Sequence, residues 1–200
     1  MWRPFAHKHA RFARRYGVYH SIYDSYDWMN NYGGDQGVGS CFELMSFGAK
    51  IWGVLGMRLA DSDVLPFDQR EQGAVLESYC DDVDVEGLQL GELRESVGAY
   101  KAAAEGLAGR GETCSGKQCL KVNEQLALVE RMFLSEAGLP GRTWFKHTLQ
   151  APGLYLGYAA EAFPGVQQAL DDGDMEVAQQ QVDVLVERVQ AAAAFMDHTP

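Results

Sequence analysis

Near the C-terminus, one run of residues leaves this chain little freedom of fold. Met175, Ala178, Val182, Leu185, Val189, Ala192 and Met196 recur at alternating spacings of three and four without interruption. Only an α-helix, with about 3.6 residues per turn, gathers all seven side chains into one stripe. Asp174 stands just ahead of the run, where its carboxylate can accept from a free amide of the first turn. A stripe about six turns long must be covered, so the chain needs other helices to pack against it.

Those helices are legible upstream. Ser40 and Glu43 form a capping box, in which hydroxyl and carboxylate each satisfy an amide at a helix start. Phe42, Met45, Ala49, Trp52, Gly56 and Leu59 then mark one apolar face. Pro66 disfavours helical backbone at its predecessor, and Asp68, followed by Glu71, starts a second helix running roughly from Gln69 to Val83. Leu90, Leu93, Val97, Tyr100, Ala104 and Leu107 mark a third, after which the glycine-rich residues 109–117 read as a loop. A fourth spans about Leu120 to Ala137 and stops at Gly138, Pro140 and Gly141, with residues 141–157 irregular. The apolar stripes are read as core. The predicted class is all-α, an up-and-down helical bundle from about residue 40 onward.

Charge excludes one class of partner. Residues 18–200 hold 12 of the 17 basic side chains and all 28 acidic ones, a net of -16, so the chain is a poor ligand for nucleic acid. Residues 1–17 are basic and acid-free but lack the apolar core of a signal peptide. No stretch approaches the ~18 apolar residues of a membrane span. Cys41, Cys80, Cys114 and Cys119 form no C-x-x-C. Cys114 and Cys119 either close a small surface loop in an oxidising compartment or remain free thiols, with Cys41 and Cys80 buried on helices.

Four strings add a resemblance to this pattern. They are Tyr19-His-Ser-Ile-Tyr-Asp24, Val64-Leu-Pro-Phe-Asp68, the stretch from Asn123 through Arg131 to Gly138-Leu-Pro-Gly141-Arg142, and Ala151-Pro-Gly153 to Glu161-Ala-Phe-Pro-Gly165. In order and spacing the chain resembles the C-terminal region of the glutamate carboxypeptidase and transferrin receptor family. The resemblance implies that residues 1–35 are the end of an α/β zinc peptidase domain, a short irregular remnant, and that residues 36–200 are a helical dimerisation domain. It makes His20 a ligand to one of two zinc ions and Tyr19 the hydroxyl that helps hold the tetrahedral intermediate. The alternative for His20 is a histidine satisfied locally in a tyrosine-rich turn. Tyr158 would contact the substrate carboxylate, and Gly157 stands where glutamate-preferring members carry a lysine, which removes a charged partner for a side-chain carboxylate.

A dinuclear site needs a second histidine, bridging and terminal carboxylates and a general base, which the resemblance places in a preceding domain. The expectation is therefore a segment that forms a homodimer through its bundle and completes a peptidase pocket. It would be inactive by itself and hold no zinc stably alone. A non-catalytic, receptor-like interaction module is the alternative. The resemblance implies a lumenal or extracellular setting. His7, His9, His147 and His198 have no persuasive metal partner, and the acidic runs at 81–86 and 171–174 fall at predicted helix ends, where they face water or favour an N-terminus.

Overall fold

A computed structural model of the protein describes residues 18–32, 41–155, 157 and 159–198. It divides into two compact units, Met1–Ser62 and Asp63–Pro200. The first holds α1 (Tyr26–Tyr32) and α2 (Cys41–Ala60). Ser25 starts α1, its hydroxyl accepting from the Trp28 amide at 3.3 Å. Ser40, half of the expected capping box, lies outside the described residues.

The second unit is a mostly helical bundle of α3 (Gln69–Asp82), α4 (Gly91–Thr113), α5 (Lys117–Leu128), a 3-10 turn (Val129–Phe133), α6 (Pro164–Asp171) and α7 (Met175–Asp197). A two-stranded antiparallel hairpin, β1 (Gln150–Pro152) and β2 (Ala160–Ala162), pairs Ala151 with Glu161. Asp68 caps α3 by accepting from the Arg70 amide, and Asp174 caps α7 by accepting from the Val177 amide, both at 3.0 Å. The α7 stripe is the spine of the core: Ala178, Val182, Leu185, Val189, Ala192 and Met196 are each 2% exposed or less. Facing it, α4 buries Leu93, Val97, Tyr100, Ala104 and Leu107. Each large aliphatic side chain removed from water contributes about 1.5–3 kcal/mol. Tyr100 brings a polar atom into this core and satisfies it by donating its hydroxyl to Gln69 Oε1 at 2.7 Å.

Four expectations need correction. The third helix does not end near Leu107 but runs on to Thr113, through Gly109 and Gly111. The helix continues against glycine's poor propensity, and a Cβ at residue 111 would make only ordinary contact with the Val64 and Val122 side chains, at 3.5 and 3.7 Å. The fourth helix starts at Lys117 and ends at Leu128; the chain tightens into the 3-10 turn, buries Phe133, and leaves helical geometry where Leu134 bridges His147. Residues 150–152, expected to be irregular, form β1, and the sequence reading missed α6. Finally, the α2 stripe is not buried: Met45, Trp52 and Leu59 are 49%, 76% and 38% exposed. Ile51, Val54, Leu55 and Met57 are exposed as well, so this helix is apolar on several sides rather than on one face.

Cys114 and Cys119 form a disulfide that closes the α4–α5 turn, with 5.2 Å between their Cα atoms. Cys80 is a buried free thiol.

Candidate functional site

Tyr19 and His20 sit on a tight turn stitched by short-range hydrogen bonds. The Ser21 amide and hydroxyl both donate to the Val18 carbonyl, at 3.0 and 2.7 Å, and the Tyr23 amide donates to the Ser21 hydroxyl at 3.2 Å. His20 has φ of 63°, a left-handed conformation that costs a residue with a Cβ about 1–2 kcal/mol. The Tyr19 and His20 rings stack with centroids 3.8 Å apart, so the imidazole and phenol are presented together. Tyr19 is 59% exposed, and His20 is exposed too.

The hairpin belongs to the other unit. Its strands frame the loop 153–159, closed by the Gly153 amide donating to the Ala159 carbonyl and the Gly157 amide donating to the Gly153 carbonyl, both at 3.0 Å. Gly157 has φ of 66°, a left-handed backbone that favours glycine. Tyr158 lies outside the described residues.

Beneath the hairpin is a feature that sequence reading missed. Arg142 is 3% exposed, and its Nη1 donates to the Pro152 carbonyl. The guanidinium lies 5.4 Å from the centroid of the Phe145 ring. Its Nε and Nη2, and the buried Oε2 of Glu161, have no hydrogen-bond partner among the described residues. Glu161 packs its carboxylate over Gly153, where a Cβ would collide with it. Two of the quoted strings thus meet at one place. The only sequence signal was the glycine pair around Leu139-Pro140, since Gly138 (φ 72°) and Gly141 (φ 70°) wind the turn that sends Arg142 inward.

No group of three or more His, Cys, Asp or Glu side chains among the described residues is placed to hold a metal ion. A structural or catalytic zinc needs at least three protein ligands, so the described residues do not by themselves compose a zinc site. His147 and the acidic runs have different partners. His147 Nδ1 accepts weakly from the Leu149 and Gln150 amides, at 3.3 and 3.4 Å, which leaves Nε2 to donate to Glu130 at 2.8 Å. Arg94 bridges Asp81 and Asp84, at 2.8 and 2.9 Å. Tyr155 and Gln168 donate to Asp172, while Asp174 serves as the α7 cap. His7 and His9 lie outside the described residues. A groove of about 390 Å³ runs between the Val64–Asp68 turn, α4 and α5, and is lined by none of the predicted site residues.

Comparison with known proteins bears on this arrangement. The family profile described as transferrin receptor-like dimerisation domain matches residues 88–197. A probable glutamate carboxypeptidase of Arabidopsis thaliana is 30% identical over 166 residues, 80% of this chain and 24% of that protein. Another, of Arthroderma benhamiae, is 33% identical over 192 residues, 89% of this chain and 25% of that protein. A protein of Schizosaccharomyces pombe named as an inactive zinc metalloprotease is 29% identical over 180 residues, 81% of this chain and 22% of that protein. The chain spans about a quarter of the length of these relatives.

Proposed function

We infer the role of this chain from its family, for it belongs to the transferrin receptor-like dimerisation domains of glutamate carboxypeptidase-like zinc peptidases. That role is to pair two subunits through the helical unit and to complete the pocket of a peptidase domain carried elsewhere in a longer protein. Residues 36–200 would be the dimerisation domain and residues 1–35 the end of the peptidase domain. The carrying observation is the profile match over residues 88–197 in the same chain as the strained Tyr19–His20 turn.

Each residue has a chemical assignment within this reading. His20 offers one neutral imidazole to a zinc ion whose other ligands come from the peptidase domain; bound zinc would supply an activated water and a polarised carbonyl. Tyr19 is the hydrogen-bond donor aimed at the oxygen on which negative charge develops. Tyr158 contacts the substrate carboxylate, without a lysine at residue 157 to reward a glutamate side chain.

The test is complementation. The Arthroderma relative, truncated before its counterpart of Tyr19, is mixed with this chain and assayed on an N-acylated dipeptide. Hydrolysis restored by the native chain and lost with His20→Ala supports the reading; equal rescue by both chains refutes the ligand assignment. Sedimentation at high concentration should give a dimer, and a monomer would remove the pairing role. The relative named as inactive favours a second reading, a non-catalytic interaction module. Dimerisation without any complementation would establish that reading.

A further inference from the structure

We infer that Arg142 is a positioning residue for the loop 153–159, fixing where that loop leaves the bundle rather than holding the bundle together. The inference rests on the reading of Tyr158, carried by this loop, as a substrate-facing residue.

Arg142 reaches its place through a tightly wound turn. The Arg142 amide donates to the Leu139 carbonyl at 3.1 Å, the Phe145 amide to the Arg142 carbonyl at 3.0 Å, and the Leu139 amide to the Phe145 carbonyl at 2.9 Å. Gly138 is required there because a Cβ would run into the Thr143 backbone. The turn delivers a permanent positive charge to an interior position, where two of its three nitrogens have no partner among the described residues. As an element of stability this is a poor choice, because a buried, under-bonded charge is disfavoured relative to an apolar side chain of the same volume.

What the arrangement does accomplish is geometric. Among the described residues, the one hydrogen bond Arg142 makes from its side chain is to the carbonyl of Pro152, a residue with no amide hydrogen of its own, at the last position of β1. The next residue, Gly153, is the point from which the loop departs and to which it returns through the Ala159 carbonyl. The Glu161 carboxylate occupies the space that a Cβ at residue 153 would need. The Pro152–Gly153 peptide at the loop's root therefore has an arginine donor on its carbonyl and a glutamate side chain beside its glycine. Phe163, left-handed at φ 43°, anchors the outgoing strand by donating its amide to Leu149 at 3.0 Å. Neither charge reaches the other within salt-bridge distance, so each acts on the backbone between them.

The experiment uses the whole 200-residue chain, with Arg142→Met and Arg142→Lys. Urea unfolding reports the bundle, and amide exchange of Gly153, Gly157 and Phe163 reports the hairpin. Positioning predicts that Arg142→Met leaves the bundle's urea midpoint unchanged or raises it, while the three hairpin amides exchange at least tenfold faster. Arg142→Lys, which retains one donor for the Pro152 carbonyl, should recover most of that protection. A lowered midpoint with hairpin and bundle amides released together would make Arg142 an ordinary brace and overturn the proposal. Unchanged hairpin exchange would overturn it equally. Should Arg142→Met fail to fold, Arg142→Gln is measured in its place: hairpin amides released at an unchanged midpoint support positioning, and hairpin and bundle amides released together, or neither released, refute it. No substrate enters this measurement, so its failure is separable from failure of the complementation assay.

Discussion

Gln125 offers a sharp test of how the end of α7 is held. Its side chain is 7% exposed, and Nε2 faces three carbonyls at once, those of Phe195, Met196 and His198, at 2.8, 2.9 and 3.0 Å. The last carbonyls of any helix lack an amide partner within it, so Gln125 acts as a cap supplied by a neighbouring helix. Replacing it with alanine leaves Met196 its second donor, Arg110, but removes the donor from Phe195 and His198. At about 1 kcal/mol for each net bond lost, Gln125→Ala should cost about 2 kcal/mol. That corresponds to about 4–8 °C in Tm for a chain of this size. Gln125→Glu keeps the shape but turns an acceptor toward the carbonyls, so at pH 7 it should cost more than alanine. Its carboxyl pKa is then raised by folding, and the deficit shrinks as pH falls below that raised value. Urea denaturation at pH 7 and pH 5 measures both effects. Met196 is fully buried, which ties this turn to the global transition rather than to fraying. An alanine variant within about 0.5 kcal/mol of native, or a glutamate variant as stable as native at pH 7, would refute the capping argument.

Three further outcomes are expected. Burial pushes the Cys80 thiol up to about 11, above its ordinary value of 9.0, so its contribution is complete below pH 9 and is lost as pH rises through 11. The slope is about 1.4 kcal/mol per pH unit, and Cys80→Ala should abolish it in urea midpoints taken from pH 8 to 11; parallel profiles would contradict it. Removing the 114–119 disulfide with Cys114→Ser/Cys119→Ser should lower stability by about 2 kcal/mol from loop-closure entropy, and reductant should destabilise the native chain but not the double variant. Gly157→Lys should cost about 1–2 kcal/mol locally through its left-handed backbone alone, since among the described residues no atom lies within 4 Å of the added Cβ. Hairpin amide exchange should rise in Gly157→Lys and less in Gly157→Asn, and equal rates would show that the backbone conformation is not the cause.

How far the fold could be read depended on which force governed each segment. The α7 stripe was fully legible because period and burial coincide: six of its seven residues are core. Asp68 and Asp174 were legible as caps because capping is local chemistry. The extension of α4 through Gly109 and Gly111 was not, since glycine's local propensity opposes it. The same holds for the break at Leu128, where burial of Phe133 and the Leu134–His147 bridge decide the path. At the candidate site, Tyr19 and His20 were named from resemblance, because nothing in their spacing distinguishes a ligand from a solvated histidine. Arg142 was quoted only as the end of a string and given no role, and only the fold reveals it as buried.

The departures from local rules are not scattered. Among the described residues two non-glycine positions have left-handed backbone, His20 and Phe163, and both lie in the strings that carry the family resemblance. Each conformation costs about 1–2 kcal/mol that a neighbouring interaction must offset. For Phe163 that offset is visible, in complete burial and an edge-on contact with Tyr79 at 5.5 Å. For His20 the described residues show only the stacked Tyr19 ring and short hydrogen bonds of its turn, with the imidazole left exposed. Arg142, the under-bonded interior charge, sits beside the same hairpin that Phe163 anchors. The bundle itself has periodic stripes, side-chain caps at Asp68 and Asp174 and an apolar core. Among the described residues, strained backbone thus lies in the His20 turn of one unit and at the Phe163 end of the hairpin in the other.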